Sequence, residues 1–274
     1  MGHEDIEVGL LLEAIYLKYG YDFRNYTKAS IKRRINQRLV LSKLANISAM
    51  QHQLLTNKVF FETLLHDFSI QVTEMFRDPS FYLALREHMI PILRTYPYIK
   101  IWHAGCASGE EVYSMAILLK EEGLLDKTLI YATDINEVVL KKAKDGIYPV
   151  DRIKEFTRNY QKAGGTKSFS NYYTAKYDAV IMNKELKKNL IFAQHNLATD
   201  NDFGEMNLIM CRNVLIYFDD SLENRVFNLF TNCLVRQGFL CLGSKESLNF
   251  SNSSKYFEQL IPKEKIYRKK IGQS

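Results

Sequence analysis

The hydrophobic positions of this chain change period near residue 99. Up to about residue 69 they recur at helical spacing. "GLLLEAIYLKYG" (9–20) carries leucines and aromatics three and four apart and stops at Gly20. Ile31, Ile35 and Leu39 recur at i, i+4, i+8, which predicts a helix with one buried stripe, and "VFFETLLHDF" (59–68) predicts another. A further helix is predicted over "RDPSFYLALREHMIPIL" (77–93), with Asp78 as its N-cap and Pro79 at its first position. From Ile99 short apolar runs alternate with helical patterns. "IKIWHA" (99–104) and "LIYATDI" (129–135) read as buried parallel strands, followed by the helices "EVYSMAILLKEEG" (111–123) and "NEVVLKKAKDG" (136–146). "NLIMCRN" (207–213) and "GFLCLGS" (238–244) read as strands around the helix "SLENRVFNLFTNCLV" (221–235). "KIYRKKI" (265–271) reads as a last strand at the end of the sheet.

Alternation of this kind predicts an α/β fold, a Rossmann-like doubly wound sheet behind a small all-α N-terminal domain. The expected organisation is a helical domain over 1–69, a linker and first helix over 70–98, and the sheet domain over 99–274. Between about 160 and 192 the pattern breaks, and "NYYTAKYDAVIMNKELKKNLIFAQ" (171–194) reads as hairpin strands, an inserted small β-subdomain.

Composition narrows the class. The chain is 274 residues long, 46% hydrophobic and 25% charged, enough for a full core. No run of about 18 apolar residues is present, and "MGHEDIEVGL" lacks the basic and apolar regions of a leader, so the expected location is cytoplasmic. The four cysteines form no CxxC pair and the six histidines show no HxxxH spacing, so no metal is expected.

Net charge is +6, unevenly spread. Lys28, Lys32, Arg33, Arg34, Arg38 and Lys43 follow one another with no acid between them, which predicts a basic outer face on that helix. It reads either as a solvated face or as a docking surface for an acidic partner. No aromatic stacking motif accompanies it, which disfavours nucleic acid.

The chemistry concentrates at "GCASGEE" (105–111), between a strand and a helix. That geometry ordinarily holds phosphate, yet Glu110 and Glu111 stand where the phosphate would sit, and like charge there is unfavourable. The glycines are spaced GxxxG, not GxGxxG. Asp134 ends the second strand, where an acid can take both hydroxyls of a ribose. A nucleoside bearing positive charge satisfies both features, and S-adenosylmethionine has a ribose, a sulfonium and an ammonium. Glutamates also complement a helix dipole, so the loop alone leaves a purely structural reading open. The same strand ends present Gly105, Asn196, Arg212 and Asn213.

"TEMFRD" (73–78), "WHAGCASGEEVYS" (102–114), "ATDINEVVLKKAKDGIYP" (132–149), "HNL" (195–197) and "CRNVLIYFD" (211–219) occur in that order. Together they resemble the chemotaxis receptor methyltransferase (CheR) family over nearly the whole chain. The resemblance implies an enzyme that forms glutamate methyl esters on methyl-accepting chemotaxis receptors from S-adenosylmethionine, releasing S-adenosylhomocysteine. It implies that Gln71, Thr73 and Arg77 close over the cofactor, and that Glu111 and Asp134 hold the amino acid end and the ribose. Asn196 and Leu197 would flank the adenine, Cys211, Arg212 and Asn213 would line the pocket, and Arg77 and Tyr217 would face the reacting methyl. Gln71 stands where the family usually has Asn, Val112 where a proline is common, and Met206-Asn207 where Phe-Asp is usual.

Arg33, Arg34 and Arg38 are the expected docking face for the acidic helical bundle of a receptor. Some family members also tether to a C-terminal receptor pentapeptide through a longer, glycine-bearing hairpin turn. "YYTAKYDAV" (172–180) is short and has no glycine, so no tether is expected, and the chain is expected to act as a monomer. Two other readings stay open: a methyltransferase of this fold with another acceptor, and a cofactor-binding signalling regulator without turnover.

Overall fold

The computed structural model of the chain describes residues 2–69 and 73–272. Four helices come first: α1 (His3–Tyr19), α2 (Lys28–Ser42), α3 (Ile47–Thr56) and α4 (Lys58–Phe68). Helix α1 stops where Gly20 takes φ 78 and returns its N–H to the Tyr16 carbonyl. Asn46 and Asn57 cap α3 and α4, each side-chain oxygen accepting amides of the first turn. Leu11, Ile15, Ile31, Ile35, Met50, Leu54 and Leu64 close one apolar core among the four.

The helix predicted over 77–93 forms in three pieces. They are α5 (Pro79–Ala84), a π-helical stretch (Leu85–Met89) and α6 (Ile90–Leu93). Pro91 has no N–H to donate, and just before it the ladder widens, with the Ile90 amide bonded to the Leu85 carbonyl. Pro79 opens α5 as expected, but Asp78 does not cap it. Its carboxylate is drawn instead to Arg212.

Next come β1 (Ile99–Ala104), α7 (Glu110–Glu121), β2 (Thr128–Asp134), α8 (Glu137–Asp145), β3 (Ile147–Pro149) and α9 (Ile153–Lys162). The chain continues through β4 (Tyr173–Lys176), β5 (Ala179–Met182), α10 (Lys184–Lys187), β6 (Leu190–Gln194) and β7 (Met206–Cys211). It ends with α11 (Asp220–Cys233), β8 (Leu234–Leu242), β9 (Phe257–Ile261) and β10 (Ile266–Lys269). Seven strands form one sheet in the order β6-β2-β1-β7-β8-β10-β9. The first five run parallel, and β10 is antiparallel to both its neighbours. Strand β7 is buried at every position, as a central strand covered by helices on both faces must be. The chain leaves β1 toward β2 on one side and returns to β7 on the other, so a crevice opens beyond their carboxyl ends.

Two sequence expectations shift. Strand β10 lies inside the sheet, and β9, which the pattern did not reveal, takes the edge. The inserted segment also begins earlier and ends earlier. Ile147–Pro149 pairs with β5, giving the small sheet β3-β5-β4, whereas Leu190–Gln194 belongs to the main sheet beside β2. Only Tyr177 and Asp178 separate β4 from β5, with Tyr177 at φ 54.

The helical unit is fastened to the carboxyl end of the sheet. Thr27 N donates to the Tyr217 carbonyl at 2.8 Å and Asp219 N to the Asn25 carbonyl at 2.9 Å. Tyr26 and Phe218 bridge between these bonds, their rings edge to face at 4.9 Å. Among the described residues no helix is long and apolar enough to cross a membrane.

Candidate active site

The glycine loop is built by two close approaches. Gly105 has φ 82, and a Cβ there would stand 2.5 Å from a Val214 methyl; Gly109 has φ 90, and its Cβ would meet Ala143 at 2.8 Å. One glycine lets the cleft wall touch the loop, the other lets α8 pack under it. The amides of Gly105 and Cys106 both donate to the Thr133 carbonyl at 2.8 Å, so the loop is tied to the end of β2.

The two glutamates part company. Glu110 is 6% exposed and turns under the loop, where its carboxylate accepts from Ser108 Oγ at 2.8 Å. Burial pushes its carboxyl up to about 7, against the help of that hydrogen bond. Glu111 lines the cleft. Its Oε1 is 3.0 Å from His103 Nδ1 and its Oε2 accepts from Arg212 Nη1 at 3.0 Å. Burial opposes its charge, but the His103 hydrogen bond and the Arg212 charge outweigh it and hold the carboxyl below its ordinary value. The Arg212 guanidinium lies 4.1 Å over the Phe81 ring and donates its other Nη to Asp78 at 2.7 Å. The acidic loop is therefore partly neutralised by a buried arginine, which the sequence pattern did not reveal.

Asp134 accepts from Ala107 N at 2.9 Å through Oδ2 and from Asn136 N at 3.0 Å through Oδ1. Burial raises its carboxyl above the ordinary value, and these backbone bonds oppose the rise. It does not cap α8; Asn136 does, accepting from Val138 N at 2.9 Å.

These groups border a cleft that opens to solvent. Thr73, Arg77, Gly105, Glu111, Asp134, Asn196, Leu197, Arg212, Asn213 and Tyr217, all singled out from the sequence, line it together. Two other expectations change, and one falls on a residue that is not described. Gln71 lies outside the described residues. Cys211 is fully buried at the end of β7 and does not line the cleft; Cys106 does. The basic face of α2 is also smaller than its sequence suggests.

Arg34 is 4% exposed, donates to the Phe68 carbonyl and lies 5.0 Å over the Tyr217 ring, on the inner side of the helix. Arg38 is held by Asp67 of α4 through two hydrogen bonds of 2.5 and 2.8 Å. Lys32 pairs with Asp5 of α1 at 2.5 Å. Arg33 is exposed on the outer face.

Sequence reasoning missed the cleft residues supplied by the helical unit, Tyr26, Phe68 and Ser69. Tyr26 carries no local signal, because its place follows from docking onto Phe218. It also missed Glu74 and His195, although both stand inside motifs that were recognised.

A ribose asks for a buried acceptor pair, an amino acid end for one anion and one cation, and a purine for apolar walls. Asp134, the Glu111–Arg212 pair, and Ile135, Leu197 and Phe68 supply these in one cleft, so the residues present fit S-adenosylmethionine. Sheet order and cleft together define a methyltransferase of the class that binds this cofactor.

Comparison with known proteins sharpens the class. Residues 71–265 match the family described as "CheR methyltransferase, SAM binding domain", and residues 6–69 match "CheR methyltransferase, all-alpha domain". The chain is similar to "Putative methyltransferase Cher3" of Pseudomonas putida, 54% identical over 265 residues and 97% of each chain. It is also similar to "Chemotaxis protein methyltransferase" of Borreliella burgdorferi, 29% identical over 91% of each. The chain belongs to the CheR methyltransferase family, and its cofactor is S-adenosylmethionine.

Proposed function

We propose that this chain transfers a methyl group to glutamate side chains on the cytoplasmic helical bundle of methyl-accepting chemotaxis receptors. The observation that carries the reading is the placing of Arg77 and Tyr217 in the same cleft as Glu111, Asp134 and Arg212. Family membership and the names of the relatives support it.

Bound S-adenosylmethionine supplies an electrophilic methyl on a sulfonium. Asp134 takes the ribose hydroxyls, and Glu111 with Arg212 fixes the charged amino acid end. Asn196 and Leu197 border the adenine, while Thr73, Gly105 and Asn213 complete the walls. The acceptor carboxylate has an ordinary pKa of about 4.3, is ionised at neutral pH and needs no general base. The residues therefore have to orient it and exclude water. Arg77 holds the incoming carboxylate by a charge-assisted hydrogen bond, and Tyr217 aligns it at the methyl.

The partner is an acidic helical bundle. On α2 the exposed Arg33 is the contact we assign to it, with Arg34 serving the Tyr217 wall from behind. The two-residue β4–β5 connection supports a chain that takes no receptor pentapeptide; we assign it a cytoplasmic, monomeric role on the reading of the receptor bundle as its acceptor.

The test uses S-adenosylmethionine labelled in its methyl group, incubated with the protein and receptor-bearing membranes. Label on a receptor-sized band that mild alkali releases as methanol is expected, because methyl esters hydrolyse. Alkali-stable label would assign a different acceptor.

A further inference from the structure

Resting on the reading of this cleft as catalytic, we infer that Glu246 is the positioning residue for the turn that carries Asn213 and Tyr217. Glu246 follows β8 and is 4% exposed. Its carboxylate collects main-chain amides from two segments. Oε2 accepts from Gly243 N at 2.6 Å and Asn213 N at 3.0 Å. Oε1 accepts from Val214 N and Leu215 N, both at 2.8 Å, and more distantly from Ile216 N at 3.4 Å.

The turn needs such an anchor. Asn213 sits at φ 61, in the left-handed region that Asn tolerates better than most L residues but that still costs free energy relative to helix or strand. Residues 214–217 then wind as a tight turn that closes with Tyr217 N to the Val214 carbonyl at 3.3 Å. Successive amides pointing the same way make an anion cradle, and a carboxylate accepting on both oxygens fills it; burial raises the Glu246 carboxyl above its ordinary value, and the amide hydrogen bonds oppose the rise.

Three walls of the cleft depend on this cradle. Val214 packs against Gly105 of the glycine loop, Tyr217 faces the cleft, and the Tyr217 carbonyl receives Thr27 of the helical unit. Glu246 itself does not line the cleft. It acts through the turn.

Glutamine at 246 keeps the size but not the chemistry. Its oxygen can serve Val214 and Leu215, while its amino group then meets the Gly243 and Asn213 amides, donor against donor. Gly243→Ala attacks the same contact from the other side. A Cβ there would stand 2.8 Å from Glu246 Oε2 and 2.7 Å from Asn213 N, and Gly243 has no positive φ to strain the substitution.

The experiment compares the whole protein with Glu246→Gln and Gly243→Ala by amide hydrogen exchange and by turnover on receptor membranes. Exchange at Val214 and Leu215 is expected to accelerate at least about 100-fold while the amides of β7 stay protected. Turnover is expected to fall at least about tenfold, and adding Tyr217→Phe should cost little more than the larger single change, because both act through one element. Losses that multiply, or released amides with unchanged turnover, overturn the inference. Should Glu246→Gln not fold, Glu246→Asp, which keeps the carboxylate but draws it back from the Val214 and Leu215 amides, takes its place in both measurements. Exchange needs no acceptor, so it still reports whether Glu246 holds the turn if the wild-type protein fails to label receptors, a result that would count against the acceptor instead.

Discussion

Arg212 Nη2 stands 2.7 Å from Asp78 Oδ2. This bond joins the carboxyl end of β7 to the segment that carries Arg77, and the same guanidinium reaches Glu111 at 3.0 Å. One buried cation thus holds the glycine-loop helix and the Arg77 segment in register. Phe76 and Asp78, on either side of Arg77, both have positive φ, at 53 and 56. Ser114 Oγ accepts from Phe76 N at 2.9 Å, a second fastening of that segment to α7. Arg212→Met leaves Glu111 without its cation inside the protein. It is expected to lower stability by about 3 kcal/mol, the scale of breaking a buried pair from one side, as read by urea unfolding.

Arg77→Ala removes the cation assigned to the acceptor carboxylate. The expected result is a turnover number lower by at least about tenfold, with a cooperative melt retained. Near-normal turnover on receptor membranes would remove Arg77 from the mechanism.

Asp134→Asn keeps the shape of the β2 terminus but weakens an acceptor pair. Affinity for S-adenosylhomocysteine is expected to fall by about 1–3 kcal/mol in calorimetry, the cost of leaving buried partners unpaired. Equal affinity in the variant would end the ribose assignment.

Glu110 carries a pH signature. Its carboxyl is raised from 4.5 to about 7, so between those values the folded state holds a proton that the unfolded state has released. Stability therefore declines as pH rises through that window, at up to about 1.4 kcal/mol per pH unit from this group. Glu110→Gln keeps a partner for Ser108 and cannot ionise. The variant should gain on the wild type from pH 5 to about pH 7 in denaturant midpoints and level off above that, and parallel pH curves would contradict the burial argument.

Arg33 and Arg34, adjacent in sequence, should separate cleanly. Arg33→Glu, on the exposed face of α2, is expected to raise the Michaelis constant for receptor membranes severalfold at low salt with turnover little changed. Arg34→Glu buries an acid against the Phe68 carbonyl and should lower the melting temperature instead. Both effects are measurable on the same purified proteins.

Local pattern made much of this protein legible. The period-3.6 stripe of Ile31 and Ile35, the buried runs of β1, β2 and β7, Gly20 as a helix stop and Pro79 as a start are short-range consequences of side-chain size and backbone freedom. GxxxG with Glu111 and Asp134 at strand ends is equally local, since a doubly wound sheet must bring its strand ends to one crevice. What the chain order could not show was pairing across distance. Asp67 of α4 and Asp5 of α1 neutralise arginine and lysine on α2, although no acid lies within that run itself. Arg212 finds Asp78 across 134 residues, turning an expected helix cap into half of an ion pair. Tyr26 becomes a cleft residue only when Thr27 and Asn25 bond to the Tyr217–Asp219 segment. Glu246 looks like any surface glutamate until β8 brings it beneath the Asn213 turn. Hydrophobic periodicity records which face of an element is buried; the partner that a buried charge or amide meets there depends on how the elements close over one another.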